Sequence, residues 1–230
     1  MAKSIPTQRL ILLRAMLLRL FSGYLLMAFF LFAPAGTLAF WEAWLYLGVL
    51  LLPITVFGFI LLIKAPHVLE ARMRMQERDP QQKRAIAILS LILLMILIIP
   101  GFDQRYGWSD VPAGVVIAAD VLILLGYLIF VLTVRENQFA SRVVEVQQEQ
   151  VVISTDPYAF VRHPMYLGFS LIFVMTPLAL GSYWALIPAV FFPVALGARI
   201  ANEEALLLHS LSGYEEYIRK VKYRLIPFIW

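Results

Sequence analysis

The chain reads as an all-α, polytopic integral membrane protein with about six transmembrane helices, the last two forming a helical hairpin. Three observations predict this class. Of 230 residues, 61% are hydrophobic and only 15% charged, with a mean hydropathy of +0.81, against roughly 45–50% apolar and 25% charged in a soluble domain. Apolar runs recur at close to the ~20 residues that a helix needs to cross hydrocarbon. Every lysine and arginine but Arg105, of 19 in all, falls in segments that such a layout places on one membrane face, as the positive-inside bias requires.

The elements follow in order. Residues 1–19 form a cytosolic leader, in which basic and apolar residues alternate over 5–18 as in an interfacial amphipathic helix. Ala33-Pro34-Ala35 resembles a cleavage site, but the apolar run before it is too long for a signal peptide, so an uncleaved anchor is expected. N-terminal transmembrane helices occupy 20–134, with apolar runs near 20–40, 44–63, 85–100 and 113–134. The charged segment 64–83 reads as a solvated cytosolic loop, and residues 135–230 form the chemical core. Residues 166–198 hold no Asp, Glu, Lys or Arg, yet Thr176-Pro177 and Gly181-Ser182 interrupt them midway. Each arm of the resulting hairpin has roughly 15 residues, about 22 Å of helix, short against a hydrocarbon core of about 30 Å. The one-sided basic residues imply an even number of crossings, with both termini cytosolic.

Composition excludes several chemistries. Without cysteine there is no disulfide or thiolate nucleophile. The histidines at 67, 163 and 209 lack metal-ligand spacing, so no metal is expected. The net charge of +4 follows from the loop bias and implies no nucleic-acid partner. Trp41, Trp44, Trp108 and Trp184 fall near the outer boundaries, as an aromatic belt does. Asp120, an acid inside a nominal span, is costly there and is assigned to helix packing.

Two polar constellations remain. In Arg162-His163-Pro164-Met165-Tyr166-Leu167-Gly168, the proline pushes His163 toward an extended conformation and suits the first turn of the next helix. The motif therefore lies at a helix N-terminus, where unpaired amides favour a carboxylate or phosphate, although Arg, His and Tyr also anchor helix ends at membrane interfaces. Arg199 and Glu203, four apart, share a helix face at the end of the last span, with Glu204 beside them. They could form a simple interfacial ion pair, but acids straight after an uncharged span are better housed in a cavity than in lipid. The hairpin returns this face to the side of His163.

At these residues the sequence resembles the isoprenylcysteine carboxyl methyltransferase family and, more distantly, the membrane phospholipid methyltransferases. The resemblance covers residues 134–230, through Arg135-Glu136-Asn137, Thr155-Asp156-Pro157-Tyr158, the Arg162 to Gly168 motif, residues 199–204 and Gly213-Tyr214-Glu215-Glu216-Tyr217. It implies a cytosol-facing site for S-adenosylmethionine and a substrate arriving from the bilayer. By position, Tyr158, His163, Pro164, Met165, Tyr166 and Glu203 would contact the cofactor. Gln150, Val151, Val152 and Ile153 match a strand-like lining segment, and Arg199 matches a substrate-side residue. The family often has glycine where this chain has Asp156.

The residue types suit that cofactor independently. A helix N-terminus can hold its carboxylate, Glu203 its ammonium, and tyrosine faces its sulfonium. Arg199 could orient an acceptor carboxylate in the catalytic position, and a thiol or amine acceptor would need a base, Glu204 or His163. The expected activity is methyl transfer to a membrane-partitioned acceptor, most like carboxyl methylation of an isoprenylcysteine-type substrate, with a lipid amine or small thiol as the alternative. A nicotinamide-dependent membrane reductase and a non-enzymatic membrane scaffold are the rival classes. The expected partners are an amphiphilic substrate and membrane lipids.

Overall fold

The computed structural model describes residues 5–73, 80–137, 139 and 149–230, with side chains from residue 9 onward. Lys3, Arg74, Arg78 and Arg142, which enter the basic-residue bias, lie outside the described residues. Helices dominate and no strand occurs among the described residues: α1 (Ile5–Ala35), α2 (Trp41–Lys64), α3 (Pro66–Met73), α4 (Pro80–Tyr106), α5 (Ala113–Glu136), α6 (Pro164–Ala179), α7 (Leu186–Ala189), α8 (Phe191–Ser210) and α9 (Tyr214–Lys220). Five stretches are long and apolar enough to cross a membrane: most of α1, then α2, α4, α5 and the joined α7–α8. The sixth, α6, has 16 residues, about 24 Å of helix, and is the short arm of the hairpin. The chain is a multi-pass integral membrane protein.

Successive spanning helices are antiparallel, each starting at the end of the bundle where the one before it stops. One end of the bundle thus gathers the starts of α1, α4 and α6 with the ends of α2, α5 and α8. Outward faces are apolar: Leu18, Phe21, Leu52 and Ile63 are all largely exposed, as lipid contact requires and water would not favour.

The α5–α6 crossing is glycine-made. A Cβ on Gly168 of α6 would lie 2.7 Å from the Gly126 carbonyl oxygen, and one on Gly126 of α5 would lie 2.8 Å from that of Gly168. Two backbones meet where neither residue has a side chain, the small-residue contact by which membrane helices pack most closely. Gly168 therefore admits a neighbouring helix.

At the opposite end a buried acid ties the loops. Asp103 of α4 accepts hydrogen bonds from the Ser109 amide at 2.7 Å, the Ser109 hydroxyl at 2.6 Å and the Ser182 hydroxyl. It joins the α4–α5 loop to the turn after α6. Arg105 lies nearby, its guanidinium 5.8 Å from the Tyr106 ring centroid.

Two sequence expectations change. The leader is no separate element, because α1 runs unbroken from Ile5 to Ala35 into the first span. The segment read as a solvated loop contains α3, whose Val68 and Leu69 are buried against Leu12, Met16, Leu61 and Phe130. Pro66 starts that helix at a position where its missing N–H costs nothing. Two apolar residues among charged neighbours leave too weak a periodic signal to reveal it.

Candidate functional site

The motif helix starts as its sequence predicts. Pro164 is the first residue of α6, and His163 before it has φ −126° and ψ 62°. The approach to it is held by the chain's last residues: the Arg162 amide donates to the Tyr223 carbonyl and the His163 amide to the Arg224 carbonyl, both at 2.9 Å. Upstream, the Asp156–Pro157 peptide is cis, and the Tyr217 hydroxyl of α9 donates to the Tyr158 carbonyl at 2.8 Å. Loop, tail and α9 thus close over one end of the bundle.

Beneath them lies a cavity of about 700 Å³. All ten residues expected at a cofactor line it: Gln150, Val151, Val152, Ile153, Tyr158, His163, Pro164, Met165, Tyr166 and Glu203. Gln150 to Ile153 do so as an irregular segment rather than a strand. Arg199 lines the cavity as well.

A chain of hydrogen bonds fixes this wall. The Tyr166 hydroxyl donates to Glu203 Oε2 at 2.6 Å and accepts from Arg199 Nε at 3.0 Å. Arg199 Nη1 in turn donates to Gln82 Oε1 of α4 at 3.0 Å. The Tyr166 phenol therefore links Arg199 to Glu203. On the facing side, Asn137 at the end of α5 donates to the Tyr158 hydroxyl at 2.9 Å. Burial pushes the Tyr158 phenol up to about 12, and burial raises Tyr214 and Tyr217 too. These rings stay neutral at physiological pH, donors with apolar faces.

Glu204 stands elsewhere. It is 3% exposed and absent from the cavity wall. Its Oε1 lies 3.2 Å from both Arg162 Nη1 and His163 Nε2, and its Oε2 accepts from Arg224 Nε at 2.8 Å. The carboxylate expected as a base is occupied in binding motif to tail.

The sequence reading did not single out four further lining residues. Arg162 sits inside the motif; its buried Nε, like the buried hydroxyl of Tyr214, has no hydrogen-bond partner among the described residues. Buried polar groups are rarely left so, and a ligand oxygen in the cavity would satisfy them. Arg72, from the helix that was read as loop, places its guanidinium 4.6 Å from the Phe130 centroid and 3.8 Å from Met165 Sδ. Tyr127 reaches the cavity from within a span. Arg162 could have been found from its place in the motif, whereas nothing in sequence links Arg72 or Tyr127 to it.

Residues 115–209 match the profile of the isoprenylcysteine carboxyl methyltransferase family. This stretch runs from α5 to the end of α8 and contains every residue expected at the site, while α1 to α4, α9 and the tail lie outside it. A methanethiol S-methyltransferase from Crocosphaera subtropica is 32% identical over 72 residues, covering 31% of this chain and 28% of that protein. The chain thus matches little more than a quarter of the length of that curated relative. A solved structure of a eukaryotic intramembrane Ras methyltransferase, an isoprenylcysteine carboxyl methyltransferase, aligns over 99% of this chain and 88% of its own, at 17% identity and a TM-score of 0.45.

Proposed function

We propose that the protein is an S-adenosylmethionine-dependent methyltransferase acting on an amphiphilic acceptor that enters from the membrane. The observation that carries this reading is a single cavity in which the family-matched polar residues adjoin an apolar arm inside the bundle. When bound, S-adenosylmethionine supplies an electrophilic methyl group, which passes to an acceptor heteroatom as the carbon–sulfur bond breaks. Such transfer needs no protein nucleophile; it needs acceptor and methyl held in line.

The residues fit that task. Arg162 Nε and the Tyr214 hydroxyl offer unsatisfied donors to a carboxylate, and Glu203 offers an acceptor to an ammonium. Tyr158 and Tyr166 present faces that attract a sulfonium. Arg199, held by Gln82 and Tyr166, directs its planar fork at an acceptor carboxylate. Glu204 is a positioning residue, keeping Arg162 and His163 on the tail. If the acceptor is a thiol or amine, His163 is the base, because of the two candidates it alone reaches the cavity wall. An isoprenylcysteine-type acid is the favoured acceptor and the site faces the cytosol.

Calorimetry on detergent-purified protein tests the reading. Saturable S-adenosylmethionine binding is expected, lost in Glu203→Ala, with none for a nicotinamide nucleotide. Methyl transfer to thioether acids, alkylamines and thiols then identifies the acceptor. A folded protein that binds a nicotinamide nucleotide instead would make it a reductase, and one that binds neither would make it a scaffold.

A further inference from the structure

Resting on this reading of the acceptor, we propose that Tyr127 sets the length of hydrocarbon tail the acceptor can carry. The cavity continues past its polar wall. It is lined from Asn137, directly after α5, to Tyr127 on α5, and on α2 from Leu61 to Leu50, a descent of about 15 Å toward mid-bundle along either helix. Over that depth the walls are apolar, with Met27, Ile54, Phe57, Phe130 and Ile172 among them.

The arm then stops. Tyr127 is the deepest lining residue of α5, and its hydroxyl donates to the Leu50 carbonyl of α2 at 2.6 Å, across the end of the arm. About one turn deeper, Ile123 and Tyr46 are completely buried and stand outside the cavity wall. The Tyr46 hydroxyl lies 3.1 Å from Thr176 Oγ1 and braces α2 to α6 behind the phenol. A descending tail meets a hydrogen-bonded ring backed by packed side chains.

Two magnitudes decide how such a floor selects. A tail leaving lipid for the arm exchanges one hydrocarbon environment for another and gains little per carbon. A carbon beyond the floor overpacks a filled core, which costs roughly tenfold or more in affinity. Tolerance is therefore flat up to a limit and then falls sharply.

The test uses purified protein in lipid nanodiscs and two homologous series, N-acetyl-S-alkylcysteines and alkylamines, lengthened carbon by carbon. Methyl transfer is read with S-adenosylmethionine present; the thermal unfolding shift from each compound is read without it and needs no turnover. Wild type is expected to show a length cutoff in both readouts. Tyr127→Ala moves it to longer tails, and Tyr127→Phe, which keeps the ring, leaves it in place. Met27→Phe, which narrows the arm, moves the cutoff to shorter tails and decides the matter if Tyr127→Ala does not fold. A cutoff that a folded Tyr127→Ala leaves in place, one that Met27→Phe does not move, or no cutoff at all, overturns the proposal. If the unfolding shift follows Tyr127 but neither series is methylated, the tail site stands and the methyl-transfer reading falls. Methylation with an unmoved cutoff means the reverse.

Discussion

Glu203 and Glu204 are identical neighbours in sequence with different fates, because one step along a helix rotates the side chain by about 100°. Glu203 faces the cavity and Tyr166; Glu204 turns to Arg162, His163 and Arg224. Removing Glu204 leaves Arg162, itself 8% exposed, without its counter-charge, and breaking such a buried pair costs about 3–5 kcal/mol. Thermal unfolding should therefore show Glu204→Ala strongly destabilised and Glu204→Gln less so. Glu203→Ala should unfold near the wild-type temperature while losing donor binding. Equal unfolding temperatures for both alanine variants would mean that Glu204 holds nothing together. The shared face of Arg199 and Glu203 was legible in sequence, since four residues make about one turn. Their real linkage was not, because Tyr166 and Gln82 reach them from α6 and α4 through tertiary packing alone.

Among the elements, the α5–α6 crossing governs the site, since Asn137, directly after α5, holds Tyr158, and α6 begins within the motif. A methyl group on Gly168 would meet a backbone carbonyl that cannot rotate away, so the helices must part, at about 1–3 kcal/mol. Gly168→Ala should lower the unfolding temperature and weaken donor binding together. Gly23→Ala, whose Cβ would have nothing within 4 Å, should do neither. Asp103→Ala offers the converse, a loss of stability from orphaned serine donors at the far end with donor affinity unchanged by calorimetry. Hydropathy sufficed to place both helices, because each must cover its backbone with apolar side chains in lipid. Their close contact stayed hidden because Gly126 and Gly168 lie in separate apolar stretches and only the fold pairs them.

At the scale of the whole molecule, the cavity draws walls from eight helices and could not be read from any one of them. Orientation follows a simpler rule, the cost of moving charge across a membrane, and that rule acts on loops visible in sequence. Among the described residues, Arg105 is the one basic residue at the end of the bundle opposite the motif, and its neighbours Phe102, Tyr106 and Trp108 form a ring stack with centroids 6.4 and 5.6 Å apart, as suits an interfacial aromatic belt. The chain contains no cysteine, so a single introduced thiol reports its own side without background. Asp110 and Glu216, exposed at opposite ends, are the positions to use. In intact cells a membrane-impermeant maleimide should label Asp110→Cys at once and Glu216→Cys only after permeabilisation. The reverse pattern would place the cavity outside the cytosol, away from the compartment where S-adenosylmethionine is expected, and would count against methyl transfer as strongly as a failure to bind the donor.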